Sequence, residues 1–557
     1  MLAGKQKRRR LEEMAKSGSY SPSDQAQTPN PSPAGQAATK KPLLMKALND
    51  ELYNVNDALS ILCSVAKSQD SDSDAVRSDA EAPPGHAGSL DDALGLCEVV
   101  TLGILPSSAA AEHLIALFLN QIEPFFPFVR RLFPDTYELV SQCGLLMAQI
   151  CAIASRYSPF IDLRRQETAL RSHAHAKLDE AMTSACLLPS GQRVDRLVWE
   201  SLLVILLDLE WPGTRFRDRP LSLEQYNQSG LLQLAIGGKL AEISGVLQNN
   251  APIYIAMNML DQVVAARLCV KSALSFENPE SSIVAQMSAH DRARVSVLRL
   301  LALASRTLFS SRETTRKIVS DGSFFSMLKL IHPQFEQWLL DFRDIAADPS
   351  WAARCVMFEF NHCRLYVYSL VNTPGLVGLE NSPEALSEAT QYLRIAVDAA
   401  AAIIDFETSQ ENPVSLQLGP PMRWIVRFIH ASVFLAKSLV SPNATWYPEL
   451  RPTLFEKVAQ AARAMEAAGP HNFQLMGHYT QILKRVKDQI HGEDLVNARP
   501  DQQRESVEPP PLELDYEATY PLDELALGPI ENDYALAEVD RTLLYMLGSP
   551  ESAPFVP

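Results

Sequence analysis

From about residue 94 to residue 490 of this 557-residue chain, apolar residues recur at three- and four-residue spacings, and no β-branched alternation bounded by hairpin turn signals interrupts them. A period near 3.6 collects such residues on one helix face, whereas a half-buried strand needs a period of two. The stretch predicts an all-α domain over residues 94–490. No fixed repeat length runs through it, so an irregular multi-helix bundle of helical hairpins is expected rather than a regular solenoid.

Individual helices can be placed by their stops. Ser107 or Ser108 can cap a helix whose core face reads Leu114, Leu117, Phe118 and Ile122. The Glu123-Pro124 pair ends it, because proline disfavours helical geometry in the residue before it. Residues 145–157 and 197–209 are apolar nearly all round, which predicts central helices surrounded by others. Pro189 and Pro212 bracket the second. Further helices are predicted over 292–311, 324–331, 335–345, 351–372, 383–408, 422–439, 453–468 and 473–490.

Both ends have other compositions. Residues 1–41 join a basic cluster to a Ser, Pro, Gln and Ala stretch that buries too little apolar surface to offset chain entropy, so this N-terminal segment is expected to be disordered. Within 42–67, Met45, Leu48, Leu52, Val55, Leu59 and Leu62 follow a 3-4-3-4-3 spacing that lays one seam along a helix. At two and a half heptads this is either a short dimerising coiled coil, homo- or heterotypic, or an amphipathic helix packed on the main domain. Residues 68–93 carry Asp70, Asp72, Asp74, Asp79, Glu81, Asp91 and Asp92 among Ser, Pro and Gly, and form an acidic linker.

The tail over 491–557 is acidic: from Glu505 onward it holds twelve Asp or Glu against a single Arg541. Leu512, Leu514, Tyr516, Tyr520, Leu522, Leu525, Leu527, Tyr534, Leu536, Leu543, Leu544, Tyr545, Met546 and Leu547 are set between these acids. Charge keeps such residues exposed and ready to enter a partner's groove on folding, the composition of an activation segment. The other reading is a disordered tail whose last helix, 534–547, docks back on the body.

These features exclude several function classes. A net charge of −16 argues against uniform wrapping of nucleic acid, so any DNA contact is local. The run Lys5, Lys7, Arg8, Arg9 and Arg10 offers that contact, or a nuclear import signal, and the expected location is the nucleus. No apolar segment follows it, so no secretory leader is read, and the most apolar helices are too short or too interrupted for a membrane span. The eight cysteines lie scattered in apolar helical stretches, as reduced intracellular thiols do.

No nucleophile elbow, phosphate loop, dinucleotide fingerprint or zinc-protease motif occurs in the chain. His173 with His175 and His362 with Cys363 are the nearest metal candidates. Their i, i+2 and i, i+1 spacings diverge on a helix, so no metal and no cofactor is expected. Cys143 with Cys151 and Cys355 with Cys363 lie two turns apart and read as core faces. No catalytic residue is assigned, and the chain reads as a non-enzyme.

Several local patterns resemble one family. The run Leu117-Phe118-Leu119-Asn120-Gln121-Ile122-Glu123-Pro124-Phe125-Phe126-Pro127-Phe128 looks like the opening of the middle homology region of fungal zinc-cluster transcription factors. Leu145-Leu146-Met147-Ala148-Gln149-Ile150-Cys151-Ala152-Ile153-Ala154-Ser155-Arg156-Tyr157 is similar to that region's next helix. Phe360-Asn361-His362-Cys363-Arg364-Leu365-Tyr366-Val367-Tyr368-Ser369-Leu370 and Met422-Arg423-Trp424-Ile425-Val426-Arg427-Phe428 look like its late helices. Where the family usually carries paired tryptophans, Ser305-Arg306-Thr307-Leu308-Phe309 matches only loosely.

The family's six-cysteine zinc module has no counterpart here, since no cysteine precedes Cys63. What the resemblance implies is a pathway-specific transcription regulator, of a metabolic or secondary-metabolite gene cluster, with the transcription machinery or co-regulators as partners. DNA contact would be indirect, through the basic N-terminus, or from an upstream segment. The alternative is a non-catalytic helical scaffold or adaptor.

Overall fold

A computed structural model describes residues between Glu98 and Ala467, apart from 135, 137–138, 140–142, 188–194, 214–222, 269, 273, 275–278, 373–382, 410–419 and 441–447. The described residues are 86% helical and contain no strand, so the fold is all-α. Their longer helices are α1 (Ser108–Leu117), α2 (Gly144–Tyr157), α3 (Glu167–Leu187), α4 (Asp195–Glu210), α5 (Leu223–Ile243) and α6 (Ala251–Leu268). After these come α7 (Ala289–Leu308), α8 (Arg312–Ser320), α9 (Phe324–Asp341), α10 (Trp351–Tyr368), α11 (Pro383–Thr408), α12 (Met422–Val440) and α13 (Arg451–Ala467).

Neighbours in sequence are mostly neighbours in space. α2 packs on α1, α3 and α4; α4 then meets α5 and α6, and also reaches α12. α7 joins α6 to α10, and α10, α11, α12 and α13 pack in succession. Ring contacts give the directions of the last group. Phe358 on α10 meets Phe406 on α11, and Tyr368 meets Tyr392, so α10 and α11 run antiparallel. Phe358 meets Trp424 and His362 meets His430, so α10 and α12 run parallel.

The central helices are those with apolar residues all round. Leu145 to Ala154 of α2 are buried, and so are Leu202 to Leu207 of α4. α1 begins at Ser107, whose hydroxyl accepts from the Ala110 N–H at 3.2 Å. Its α-helical hydrogen bonding ends at Leu117; the chain continues as one wider turn, Phe118–Ile122, and one tight turn, Glu123–Phe125, which accommodates Pro124.

Several helix ends differ from the sequence reading, and two of the departures have a clear local cause. α7 starts at Ala289 rather than 292, because Ser288 and Asp291 form a reciprocal capping box, each side chain bonding the other's backbone N–H. The segments 324–331 and 335–345 are not two helices. α9 runs unbroken through Pro333, and a short helix, Arg343–Ala347, follows it. An interior proline costs about 3 kcal/mol, whereas burying Leu328, Ile331, Phe335 and Trp338 on both sides of it is worth about 1.5–3 kcal/mol each. Packing outweighs the missing bond.

No helix among the described residues is long and apolar enough to cross a membrane. The side chains of Cys143, Cys151, Cys355 and Cys363 are buried.

Candidate functional site

The turn after α1 anchors the amino-terminal helices to the last ones. Phe125 sits edge-on to Trp424 at 4.8 Å and to Trp351 at 5.8 Å. The Trp351 indole N–H donates to the Pro124 carbonyl at 3.0 Å, and Arg423 Nη2 donates to the Phe125 carbonyl at 2.7 Å. Carbonyls that a proline-containing turn cannot use internally are thus satisfied by the late helices. Glu123 is buried, and burial pushes its carboxyl up to about 7 against the bond donated by the Arg130 N–H at 3.1 Å.

Two buried polar clusters among the described residues join helices distant in sequence. The first ties α2, α3 and α4 together. Arg156 donates to Glu167 at 3.1 and 2.5 Å and to the Pro212 carbonyl at 2.6 Å. Arg171 pairs with Asp208 and donates to the Trp211 carbonyl at 3.0 Å. Burial opposes the Asp208 charge, but His175 and Arg171 hold its carboxyl down at about 2. Two guanidinium groups face two carboxylates, so this cluster is balanced. It explains the Arg156-Tyr157 end of α2 as a structural clamp, since buried ions need such compensation.

The second cluster lies where α10 and α12 run side by side. Its floor is aromatic: Phe358 stacks on Trp424 at 4.4 Å, and Phe406 from α11 lies 5.0 Å from Phe358. Above it Arg294 of α7 donates to Glu359 at 3.0 Å, and Arg423 pairs with Glu210 from the end of α4. The Arg427 guanidinium lies 5.9 Å from the Phe358 ring centre. One helical turn further, His430 meets His362 edge to face at 5.8 Å. Beyond them Asn372 donates to the Ser438 hydroxyl at 3.0 Å.

This second cluster is not balanced. Arg427 Nε and Nη1, both ring nitrogens of His430 and Nε2 of His362 are buried with no hydrogen-bonding partner in the protein. Burial lowers the Arg427 guanidinium to about 10 and the His430 imidazole to about 3, and it keeps His362 well below its ordinary range. Glu407 at the end of α11 is likewise buried with both carboxyl oxygens unpartnered, and burial pushes it up to about 8. Native interiors leave few such atoms unsatisfied, because each costs about 1–3 kcal/mol. The concentration of the Arg427, His430 and His362 atoms between α10 and α12 marks the candidate site.

The site residues expected from sequence lie elsewhere. Lys5, Lys7, Arg8, Arg9 and Arg10, the 45–62 seam and the tail residues Leu522, Leu525, Leu527, Tyr534, Leu543, Leu544, Tyr545 and Leu547 all fall outside the described residues. The helix expected over 473–490 does too. His173 and His175 point to different carboxylates, Glu98 at 3.8 Å and Asp208 at 3.5 Å. Arg427, His430 and Lys437 stand inside an otherwise apolar run, and charge at such positions is the sequence signal that points to the α12 seam.

Comparison of the chain with protein-family models, with curated proteins and with solved structures returns no match.

Proposed function

We propose that this chain is a transcription factor-like regulator of gene expression, pathway-specific in action and non-catalytic. One observation carries the reading: the order of segments along the chain. A basic run at Lys5 to Arg10 is followed by the Met45 to Leu62 seam, an acidic linker, the helical body and an acidic tail threaded with Leu and Tyr. Each piece has a physical role in such a regulator. Clustered cations suit nuclear import or phosphate contact. The seam suits pairing with a second copy or with a DNA-binding partner. The tail suits recruitment of the transcription machinery or co-regulators, because alternating acids keep its apolar residues available to a groove.

The all-α body supports this reading as a platform, and the resemblance of its sequence patterns to the fungal zinc-cluster middle region points the same way. The test is to tether residues 500–557 to an unrelated DNA-binding domain and read a reporter. Expression is expected to rise, and replacing Leu522, Leu525, Leu527, Tyr534, Leu543, Leu544, Tyr545 and Leu547 by Ala is expected to abolish the rise. A silent tether would remove the tail's role and favour a helical scaffold or adaptor.

A further inference from the structure

Around the α10–α12 layer three guanidinium groups, those of Arg294, Arg423 and Arg427, face the two carboxylates of Glu359 and Glu210. Arg294 is matched by Glu359 and Arg423 by Glu210, while Arg427 shares those same two carboxylates electrostatically and its Nε and Nη1 have no hydrogen-bonding partner. Its guanidinium lies over the Phe358 ring, 5.9 Å from the ring centre. His430 and His362 add ring nitrogens that no protein group engages. A water molecule can satisfy hydrogen-bonding capacity, but it cannot neutralise a guanidinium; an anion does both. The nearby Phe358 ring and the neutral Cys363 thiol suit an organic body more than a hydrated inorganic ion.

We propose that Arg427, His430 and His362 form an internal receiving site for a small organic monocarboxylate, with the carboxylate accepting from the Arg427 guanidinium and from one N–H of each imidazole. The site is independent of the transcriptional reading, because it rests on the helical body alone and holds equally for a scaffold. Binding adds hydrogen bonds and a counter-charge that only the folded body offers, so the ligand stabilises that body by mass action.

The test uses the full-length chain and thermal unfolding followed by helical circular dichroism, with hexanoate and its neutral isostere hexanamide as probes. Hexanoate is expected to raise Tm in a concentration-dependent way, and hexanamide is expected to leave it unchanged. In R427K the charge remains but the planar donor set is lost, and the apparent affinity is expected to fall about tenfold or more. In R427M the response is expected to vanish. Equal responses to acid and amide, a full response in R427M, an effect reproduced by chloride alone, or no response to hexanoate would each overturn the proposal. Should R427M not fold, R427K and a titration of the native chain with 13C-labelled hexanoate decide: a saturable shift of the carboxylate resonance supports the site, and its absence removes it.

Discussion

The imidazole of His362 on α10 meets that of His430 on α12 edge to face, with ring centres 5.8 Å apart in a fully buried layer. Burial lowers both, His430 from its ordinary 6.5 to about 3, so both are neutral in the fold. Below pH 6.5 the unfolded chain takes up protons that the folded one refuses. Stability from this pair is therefore complete above pH 6.5 and declines as pH falls toward 3. H430F is expected to flatten that acid limb by about one proton, read as a smaller loss of Tm between pH 6.5 and 4. An unchanged limb would mean that His430 is solvated.

Glu407 has the opposite dependence. Burial raises its carboxyl from 4.5 to about 8, so the folded state keeps a proton that the unfolded state releases above pH 4.5. Its effect is smallest below pH 4.5, and stability falls as pH rises toward 8, then levels off. E407Q is expected to gain little over the native chain at pH 5 and to exceed it clearly in Tm at pH 8. Parallel Tm profiles for the two proteins would contradict the assignment of a buried neutral acid.

Arg131 forks onto Asp291 with two bonds of 2.9 Å, and Asp291 also closes the capping box of α7 with Ser288. Burial works against the Asp291 charge, but Arg131 and Ser288 hold its carboxyl below the ordinary 3.8. That contribution is present above pH 3.8 and is lost as pH falls through the lower folded value. D291A is expected to cost about 1–3 kcal/mol near neutral pH, since a cap and a charged bond are removed together. Chemical denaturation would show it, and R131A should cost less because that side chain is 30% exposed.

The helical class was legible because long apolar faces leave a period that a single chain displays openly. Residues 383–408 were read at both ends, where Pro383 opens α11 and Thr408 closes it. The fusion of 324–331 with 335–345 was not legible, since Pro333 is a local stop signal that Phe335 and Trp338 override only through partners distant in sequence, such as Phe360. The α10–α12 layer was hidden for the same reason. His362 and His430 are 68 positions apart, and no spacing rule within one helix joins them. Cys363 beside His362 drew attention as a metal candidate, while the ring that His362 meets lies on another helix.

Chromatin occupancy of the tagged full-length chain in its own cells tests the central claim most directly. The account predicts a nuclear signal with discrete peaks at promoters, retained when Arg427 is changed to Lys and lost or displaced when Leu48, Leu52, Val55 and Leu59 of the pairing seam are changed to Ser. A cytoplasmic signal with an empty promoter profile would contradict regulation of gene expression and leave the helical body as a scaffold.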